Sequence, residues 1–246
     1  LLDTCGTGGD NAGTFNISTT TAIVVASCGV AVAKHGNRAV SSRAGSADVL
    51  EALGLRIDLG PEANGKLLDE LGICFLFAPR YHPAMKIVMP VRQALGTRTL
   101  FNLIGPLSNP LRPYAQVLGV HSEALLEPIA QALLDMGCER AFVVHGSGMD
   151  ELALHGTSRI IAVEGGGLRG LEVSPEALGL APAAVADLTG GTAAENAAIL
   201  REVLGGKDRG PRARAVAINA AAGLVLTGAE DDWAAAARRA LELMAA

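Results

Sequence analysis

The sequence predicts an α/β fold with a mainly parallel central sheet and flanking helices. Short runs rich in Val, Ile, Leu and Phe alternate along the chain with helical patterns. Polar residues hardly interrupt these runs, as is typical of parallel strands that helices cover on both faces. Half of the 246 residues are hydrophobic and only 3% are aromatic. We therefore expect a large and mostly aliphatic core.

Four of the apolar runs are predicted to be buried strands. In chain order they are "VAVAKH" (30–35), "CFLFA" (74–78), "AQVLGV" (115–120) and "RAFVVHG" (140–146). Ligands of open parallel sheets bind at the carboxyl ends of the strands, so we expect the functional residues directly after these runs.

Helices are predicted between the strands. Leu125, Ile129 and Leu133 recur every four residues and would share one face of a helix that ends at Gly137. Two further short helices, each stopped by a glycine, are predicted at residues 46–53 and 62–71.

The last part of the chain has a different pattern. From Thr192 onward it is predicted to be helical, and residues 215–228 are apolar all round, which predicts a buried helix. The glycine-rich stretch "EGGGLRG" (164–170) is predicted to be a flexible turn within the same domain.

In the stretch "CGTGGDNAGTFNISTTTA" (5–22), three closely spaced glycines (Gly6, Gly8 and Gly9) come before a helix start. Glycine permits positive φ and a close approach of backbone to a ligand. Asn16 is predicted to cap a helix whose first turn holds Ser18 and Thr19, and free N–H groups there can bind an anion. The alternative is a glycine turn before a capped helix, because the pattern is neither a Walker loop nor a Rossmann motif.

A second stretch, "KHGNRAVSSRAGSADVLEALG" (34–54), strengthens the prediction of a phosphate site. Lys34, His35 and Asn37 come at the carboxyl end of a predicted strand. A second loop of small residues then enters a helix at Ser46. Two helix starts would converge near one strand edge, which is enough for a pyrophosphate and a further phosphate.

Adjacent carboxylates follow the predicted strand 140–146. Asp150 and Glu151 lie on a loop, and Mg²⁺ takes oxygen ligands that it usually shares with substrate phosphates. Loop acids alone are usually solvated, but beside a phosphate site we expect them to bind Mg²⁺.

Composition excludes several classes of protein. The net charge of −5 argues against a general nucleic-acid surface, and no apolar run reaches the length of about 18 residues that a membrane span needs. The four cysteines form no Cys-x-x-Cys pair and no signal peptide is visible. We expect a reduced cytoplasmic protein that binds neither membrane nor nucleic acid.

Taken together, these stretches resemble the anthranilate phosphoribosyltransferase family over the whole chain. The matching segments, in order, are "GTGGD", "NIST", "KHGNR", "SSRAGSADVLEALG", "YHPAMK", "VRQALGTRTLFNLIGPLSNP", "VHGSGMDEL", "GGTAAENA" and "INAAAGLVL". The resemblance implies a nucleoside phosphorylase/phosphoribosyltransferase-like fold. It also implies transfer of the phosphoribosyl group of phosphoribosyl pyrophosphate (PRPP) to anthranilate, with Mg²⁺ and release of pyrophosphate, in tryptophan biosynthesis.

The resemblance also implies roles for individual residues. Those implied to bind PRPP are Gly6, Gly9, Asp10, Thr14, Asn16, Ile17, Ser18, Thr19, Lys34, Asn37, Ser41, Ser42 and Ser46. Those implied to bind anthranilate are Gly6, His35, Asn37, His82, Arg92 and Pro106. The implied magnesium ligands are Ser18, Asp150 and Glu151. Arg92 suits this role because a guanidinium can hold a carboxylate through two hydrogen bonds, although a surface arginine is the default interpretation.

The family has an N-terminal helical domain before the segments seen here. The resemblance thus implies that residues 1–246 form one PRPP-binding α/β domain with later helices, part of a longer two-domain protein that is a homodimer. Thr192 stands where the family usually has an acid, and we expect it to lie outside the site.

Two alternative functions stay open. A pyrimidine nucleoside phosphorylase resembles this family, but its lysine motif reads Lys-His-Ser where this chain has Lys-His-Gly-Asn. A non-catalytic nucleic-acid-binding relative on the same scaffold would need a basic groove, against which the acidic composition argues.

Overall fold

The computed structural model describes residues 1–39, 43–85, 87–88, 94 and 99–246. A seven-stranded sheet forms its centre. The strands are β1 (Leu2–Gly6), β2 (Val32–Gly36), β3 (Ile73–Phe77), β4 (Ala115–Gly119), β5 (Arg140–Gly146), β6 (Ser158–Glu164) and β7 (Gly167–Val173). Their order in the sheet is β3-β2-β1-β4-β5-β6-β7. The first five strands are parallel and the last two are antiparallel, which confirms the predicted α/β fold.

Helices cover the sheet. They are α1 (Ile17–Ser27), α2 (Ser46–Ala52), α3 (Pro61–Leu71), α4 (Ala78–Tyr81), α5 (Phe101–Leu107), α6 (Leu126–Asp135), α7 (Ala193–Leu204), α8 (Pro211–Thr227) and α9 (Trp233–Ala245). Short 3-10 turns lie at Glu123–Leu125, Glu176–Leu178 and Val185–Leu188.

The predicted elements between residues 30 and 146 are confirmed to within two residues. Strands β2 to β5 correspond to the four apolar runs, and α2, α3 and α6 to the helical patterns. Gly72 follows α3 with φ of 72° and Gly137 follows α6 with φ of 79°. This left-handed conformation ends the helix, and glycine is favoured at both positions because residues with a Cβ atom pay a steric cost there.

The prediction for residues 164–170 was wrong in part. The turn is confined to Gly165 and Gly166, with φ of 59° and 76°, and it joins β6 to β7 in a hairpin. Strand β7 is largely exposed and contains two glycines, so it lacks the apolar pattern by which buried strands are predicted. Strand β7 is ordered by its antiparallel pairing with β6, which the sequence of β7 alone does not indicate.

Helix α8 lies in the core, as the apolar pattern of residues 215–228 predicts. It packs against α1, α9 and the sheet. At Gly223 the backbone approaches so closely that a Cβ atom would lie 3.0 Å from Leu2 and 3.2 Å from Val25. This close packing holds the start of the sheet and α1 against the C-terminal helices.

Two features bear on the expected environment of the protein. All four cysteines are free. In the part of the chain that the structure describes, no helix has both the length and the apolar character that crossing a membrane requires.

Candidate active site

A cleft of about 530 Å³ opens at the carboxyl ends of β1 and β2 and the loop after β5. Part of its wall comes from α5 and from the residues around α4. It collects most of the residues implied to form the site. These are Gly6, Gly9, Asp10, Thr14, Asn16, Ile17, Ser18, Thr19, Lys34, His35, Asn37, Ser46, His82, Asp150 and Glu151.

Of the implied residues that the structure describes, Pro106 alone is not among those that line the cleft. Pro106 is buried inside α5, and its carbonyl accepts a hydrogen bond of 2.7 Å from Gln116 Nε2. Its neighbour Gly105 lines the cleft instead. Ser41, Ser42 and Arg92 lie outside the described residues.

Thr192 does not line the cleft either, as expected. Its hydroxyl accepts a hydrogen bond from the backbone N–H of Glu195 and thereby caps α7. Thr192 therefore stabilises the start of α7.

Glycines at the strand ends allow the loop with the two acids to cross the sheet edge. A Cβ atom on Gly6 would collide with the Asp150 carboxylate, and one on Gly119 would collide with the Asp150 backbone. Because neither position has a side chain, Asp150 lies directly over the ends of β1 and β4.

The start of α1 differs from the prediction. Asn16 has φ of −73° and ψ of 72°, and its side chain makes no capping hydrogen bond. Its Nδ2 donates instead to the Ala44 carbonyl at 3.1 Å, and its Oδ1 accepts from Asn196 Nδ2 at 2.8 Å. The prediction of an Asn16 cap was therefore wrong, because tertiary partners use both polar atoms of the amide.

An acid occupies part of this helix start. The backbone N–H of Ser18 donates to the Glu151 carboxylate at 3.1 Å. The partial positive charge of the first turn of α1 thus faces one of the acids implied to bind magnesium.

Lys34 is a buried cation beneath the same loops, with 4% of its surface exposed. Its ammonium group donates to the Thr4 carbonyl and, at 3.3 Å, to Ser18 Oγ. It lies near enough to Asp3 and Glu151 to lower the pKa of each of these acids, although their burial outweighs it. Lys34 therefore supplies positive charge at the point where β1, β2 and α1 meet.

Three acids face one another in the cleft. Asp150 accepts from the Gly8 N–H at 2.6 Å, and the Asp150 N–H donates to Asp10 at 3.3 Å. Burial, and next the charge of Asp10, raise the pKa of Asp150 to about 7. Burial, and next the charge of Asp150, raise the pKa of Glu151 to about 8. Such crowded negative charge is costly alone and favours a bound cation.

These acids suit a Mg²⁺ ion that is coordinated partly by the protein and partly by a substrate. Across the described residues, no group of three or more His, Cys, Asp or Glu side chains is arranged to hold a metal ion by itself. Mg²⁺ commonly binds through one or two carboxylates together with phosphate oxygens and water, so Asp150 and Glu151 are residues that could hold it beside a phosphate ligand.

Two histidines face each other at another part of the cleft. His35 Nε2 and His82 Nε2 are 3.2 Å apart. Burial, and next the charge of His82, lower the pKa of His35 to about 4. His35 is therefore neutral at physiological pH, and a neutral imidazole of this kind can hold or orient a polar aromatic ligand.

Several residues at the site were missed in the sequence. Asp3 is buried, and it accepts hydrogen bonds from the His35 N–H at 3.2 Å and from Asn109 Nδ2 at 2.9 Å. Arg38 lines the cleft and pairs with Asp48 and Glu51 on α2. Asp3 belongs to no pattern with a chemical signature. Arg38 lies in the "KHGNR" motif, but the motif gives it no separate role, and the fold brings it to the wall of the cleft.

Comparison with known proteins shows which family the chain is similar to. The family model described as "Glycosyl transferase family, a/b domain" matches residues 1–246. An anthranilate phosphoribosyltransferase of Idiomarina loihiensis is 54% identical over 242 residues, which are 98% of this chain and 72% of that protein. The relative from Moorella thermoacetica is also 54% identical, over 94% of this chain and 68% of its own length.

Solved structures agree in fold. The crystal structure of anthranilate phosphoribosyltransferase from Thermus thermophilus has a TM-score of 0.93 and 50% identity, over 100% of this chain and 73% of that one. The enzyme from Saccharomyces cerevisiae in complex with PRPP and Mg has a TM-score of 0.92 and 32% identity, over 99% and 69%.

The chain thus belongs to the class of glycosyltransferases that this α/β-domain family model describes. Within that class, the chain belongs to the anthranilate phosphoribosyltransferase family.

Proposed function

We propose that this cleft transfers the phosphoribosyl group of PRPP to the amine of anthranilate and releases pyrophosphate. The observation that carries the proposal is the meeting of three features in one cleft. They are the glycine loop that leads to α1, the buried Lys34, and the acids Asp150 and Glu151. Family membership and the PRPP and Mg complex of the yeast relative support it.

PRPP is assigned to the glycine loop, the start of α1 and the loop before α2. Backbone N–H groups, the hydroxyls of Thr14 and Thr19, and Lys34 can bind its phosphates there. We extend this assignment to Ser41 and Ser42 on the family resemblance alone.

Anthranilate is assigned to the part of the cleft that holds His35 and His82. We extend this assignment to Arg92, whose guanidinium would pair with the anthranilate carboxylate, on the family resemblance alone. The yeast relative has been solved in complex with 4-fluoroanthranilate, which supports a binding site for such a ring in the family.

The proposed reaction breaks the bond between C1 of the ribose and the pyrophosphate oxygen and forms a bond between C1 and the anthranilate nitrogen. Negative charge grows on the departing pyrophosphate, and Lys34 and the helix start can stabilise it. The amine attacks with its own lone pair and then loses a proton, so positioning of the two substrates supplies much of the rate enhancement.

Asp150 and Glu151, with Ser18 beside them, would hold Mg²⁺ against the phosphates. When bound, the metal neutralises charge on the leaving group. The acids themselves are held in place by the backbone N–H groups of Gly8 and Ser18.

The test is a pyrophosphate-release assay with PRPP, Mg²⁺ and anthranilate, compared with a phosphorolysis assay with inorganic phosphate and a pyrimidine nucleoside. We expect release that requires anthranilate and no phosphorolysis. Phosphorolysis without transfer would overturn the proposal in favour of the nucleoside phosphorylase alternative.

The proposal extends to organisation. The relatives are longer than this chain, which spans 72% of the relative from Idiomarina loihiensis. We propose that residues 1–246 act as the PRPP-binding α/β domain of a two-domain cytoplasmic homodimer. Sedimentation of the protein with and without a helical N-terminal domain would test this, and a monomer in both cases would contradict the homodimer.

A further inference from the structure

The segment "GGTAAENA" (190–197) is among the motifs of the family resemblance, but none of its residues lines the cleft. Its residue Asn196, on α7, is buried, with 2% of its surface exposed. Asn196 Nδ2 donates to Asn16 Oδ1 at 2.8 Å, and Asn196 Oδ1 accepts from the Gly191 N–H at 2.7 Å. Asn16 Nδ2 then donates to the Ala44 carbonyl at 3.1 Å. A chain of three hydrogen bonds therefore runs from Gly191 to Ala44.

The two ends of this chain fix the direction of both amides. Gly191 offers an N–H, which only an oxygen can accept, and Ala44 offers a carbonyl, to which only a nitrogen can donate. Each amide therefore has one orientation that satisfies all of its neighbours. Both polar atoms of the Asn16 side chain are therefore engaged. Asn16 thereby links the loop that precedes α1 to the loop that precedes α2.

The backbone around this chain is also joined to the glycine loop. Thr14 and Thr189 form an antiparallel bridge, with hydrogen bonds from Phe15 N to Leu188 O (3.0 Å) and from Gly190 N to Gly13 O (2.9 Å). A Cβ atom on Gly190 would lie 2.7 Å from the Phe15 backbone. Residues 188–196 thus lie against the end of the glycine loop, directly before α1.

We propose that Asn196 is a positioning residue for PRPP, acting through Asn16 to fix the spacing between the two phosphate-binding loops. It does not line the cleft, so it acts without contact to the substrate. This inference rests on the proposed assignment of PRPP to these loops.

The substitution Asn196→Asp tests the donor half of the chain. The carboxylate can still accept from the Gly191 N–H, but its second oxygen would face Asn16 Oδ1 with no hydrogen between them. Turning the Asn16 amide would only move the mismatch to the Ala44 carbonyl. Asn196→Ala serves as a second variant, because it removes the donor without burying a charge.

Thr192→Ala is the matched control on the same helix. It removes the hydroxyl that caps α7 and leaves the bonds of Asn196 intact. We expect it to lower the melting temperature without changing PRPP affinity. A general loosening of α7 would therefore appear in the control as well, whereas loss of the Asn196 bond would not.

The measurement is calorimetric titration of each folded variant with PRPP in the presence of Mg²⁺, with KM values for both substrates. We expect Asn196→Asp and Asn196→Ala to weaken PRPP binding about tenfold, a change of about 1.4 kcal/mol, which is of the order of one hydrogen bond. The KM for anthranilate at saturating PRPP should stay within about twofold of the unmodified protein, since residues of the anthranilate side keep their contacts.

A double-mutant cycle with Asn16→Ala shows whether the effect passes through Asn16. We expect Asn196→Ala to add little in that background, because its partner is already gone. Undiminished PRPP affinity in both Asn196 variants, or fully additive losses in the cycle, would overturn the positioning role. Failure of the unmodified protein to bind PRPP would instead overturn the proposed function, and the positioning role with it.

Discussion

Charged side chains have opposite environments in two regions of the sheet. On the neighbouring strands β1 and β2, Asp3 is 0% exposed and Lys34 is 4% exposed. On the β6–β7 hairpin, Arg159 pairs with Glu123 and Glu172, and all three side chains are more than half exposed. The cleft thus carries buried charge, whereas the hairpin carries solvated ion pairs.

Buried charge has a free-energy cost that exposed pairs avoid. Desolvation raises the pKa of Asp3, Asp150 and Glu151 above the ordinary range of carboxyl groups. Well-packed apolar residues would often stabilise the folded protein more than such buried charged groups do. Buried charged groups with shifted pKa values are therefore typical of binding and catalytic sites. The hairpin pairs, in contrast, are screened by solvent and contribute little. We therefore expect large effects of substitution in the cleft and small ones on the hairpin.

The largest effect is expected from Asp150→Asn combined with Glu151→Gln. These changes remove both carboxylates that would hold Mg²⁺ and leave the side-chain volumes almost unchanged. Turnover at saturating substrates should fall at least about 100-fold, the order expected for loss of electrostatic stabilisation in a transition state. Steady-state kinetics would check this, and turnover within a few-fold of the unmodified protein would exclude the two acids from the reaction.

Lys34→Met should affect both binding and stability. Removal of the ammonium group leaves buried acids near it without their cation, which costs on the order of 3–5 kcal/mol. Urea unfolding at neutral pH should show the loss of stability, and titration with PRPP should show weaker binding. A variant of normal stability that binds PRPP normally would mean that the charge of Lys34 is not needed.

Asp3→Asn is expected to change the pH dependence of stability. Burial raises the pKa of Asp3 to about 6 in the folded protein, from an ordinary value of 3.8. The protonated acid therefore favours the folded state below pH 4, and this contribution is lost as the pH rises through 6. Its size is on the order of 3 kcal/mol. Unfolding free energies at pH 4.5 and 7 should differ less in the variant, and an unchanged difference would contradict the assignment.

The smallest effect is expected from Arg159→Ala on the hairpin. It breaks the exposed pairs with Glu123 and Glu172, so the melting temperature and the KM for PRPP should stay within experimental error. Thermal unfolding and kinetics would check both. A marked loss of activity would show that the hairpin contributes to the reaction as well as extending the sheet.

The sequence predicted most of the parallel part of the sheet, and most of the site residues named from it line the cleft. Strands β2 to β5 are buried and apolar, and the glycine, lysine and acid motifs follow strand ends where ligands bind. The hairpin was missed because β7 is exposed and glycine-rich. Hydrophobic periodicity does not identify a strand whose order comes from its partner.

The details of the site depended on contacts that are distant in sequence. The cap prediction for Asn16 was wrong because Asn196, 180 positions away, binds its side chain. Asp3 gave no signal, since its role depends on Asn109 and on the His35 backbone. Local patterns predict which residue types a site needs, whereas the pairing of buried polar atoms follows only from the assembled fold.

The most direct test of the account is the dependence of PRPP affinity on Mg²⁺. Calorimetric titration with PRPP across a range of Mg²⁺ concentrations should be made on the unmodified protein, on the Asp150→Asn and Glu151→Gln double variant, and on Arg159→Ala. We predict that Mg²⁺ strengthens binding in the unmodified protein and in Arg159→Ala, and has much less effect in the double variant. Equal Mg²⁺ dependence in all three proteins would contradict the claim that Asp150 and Glu151 form the metal and pyrophosphate site of the cleft.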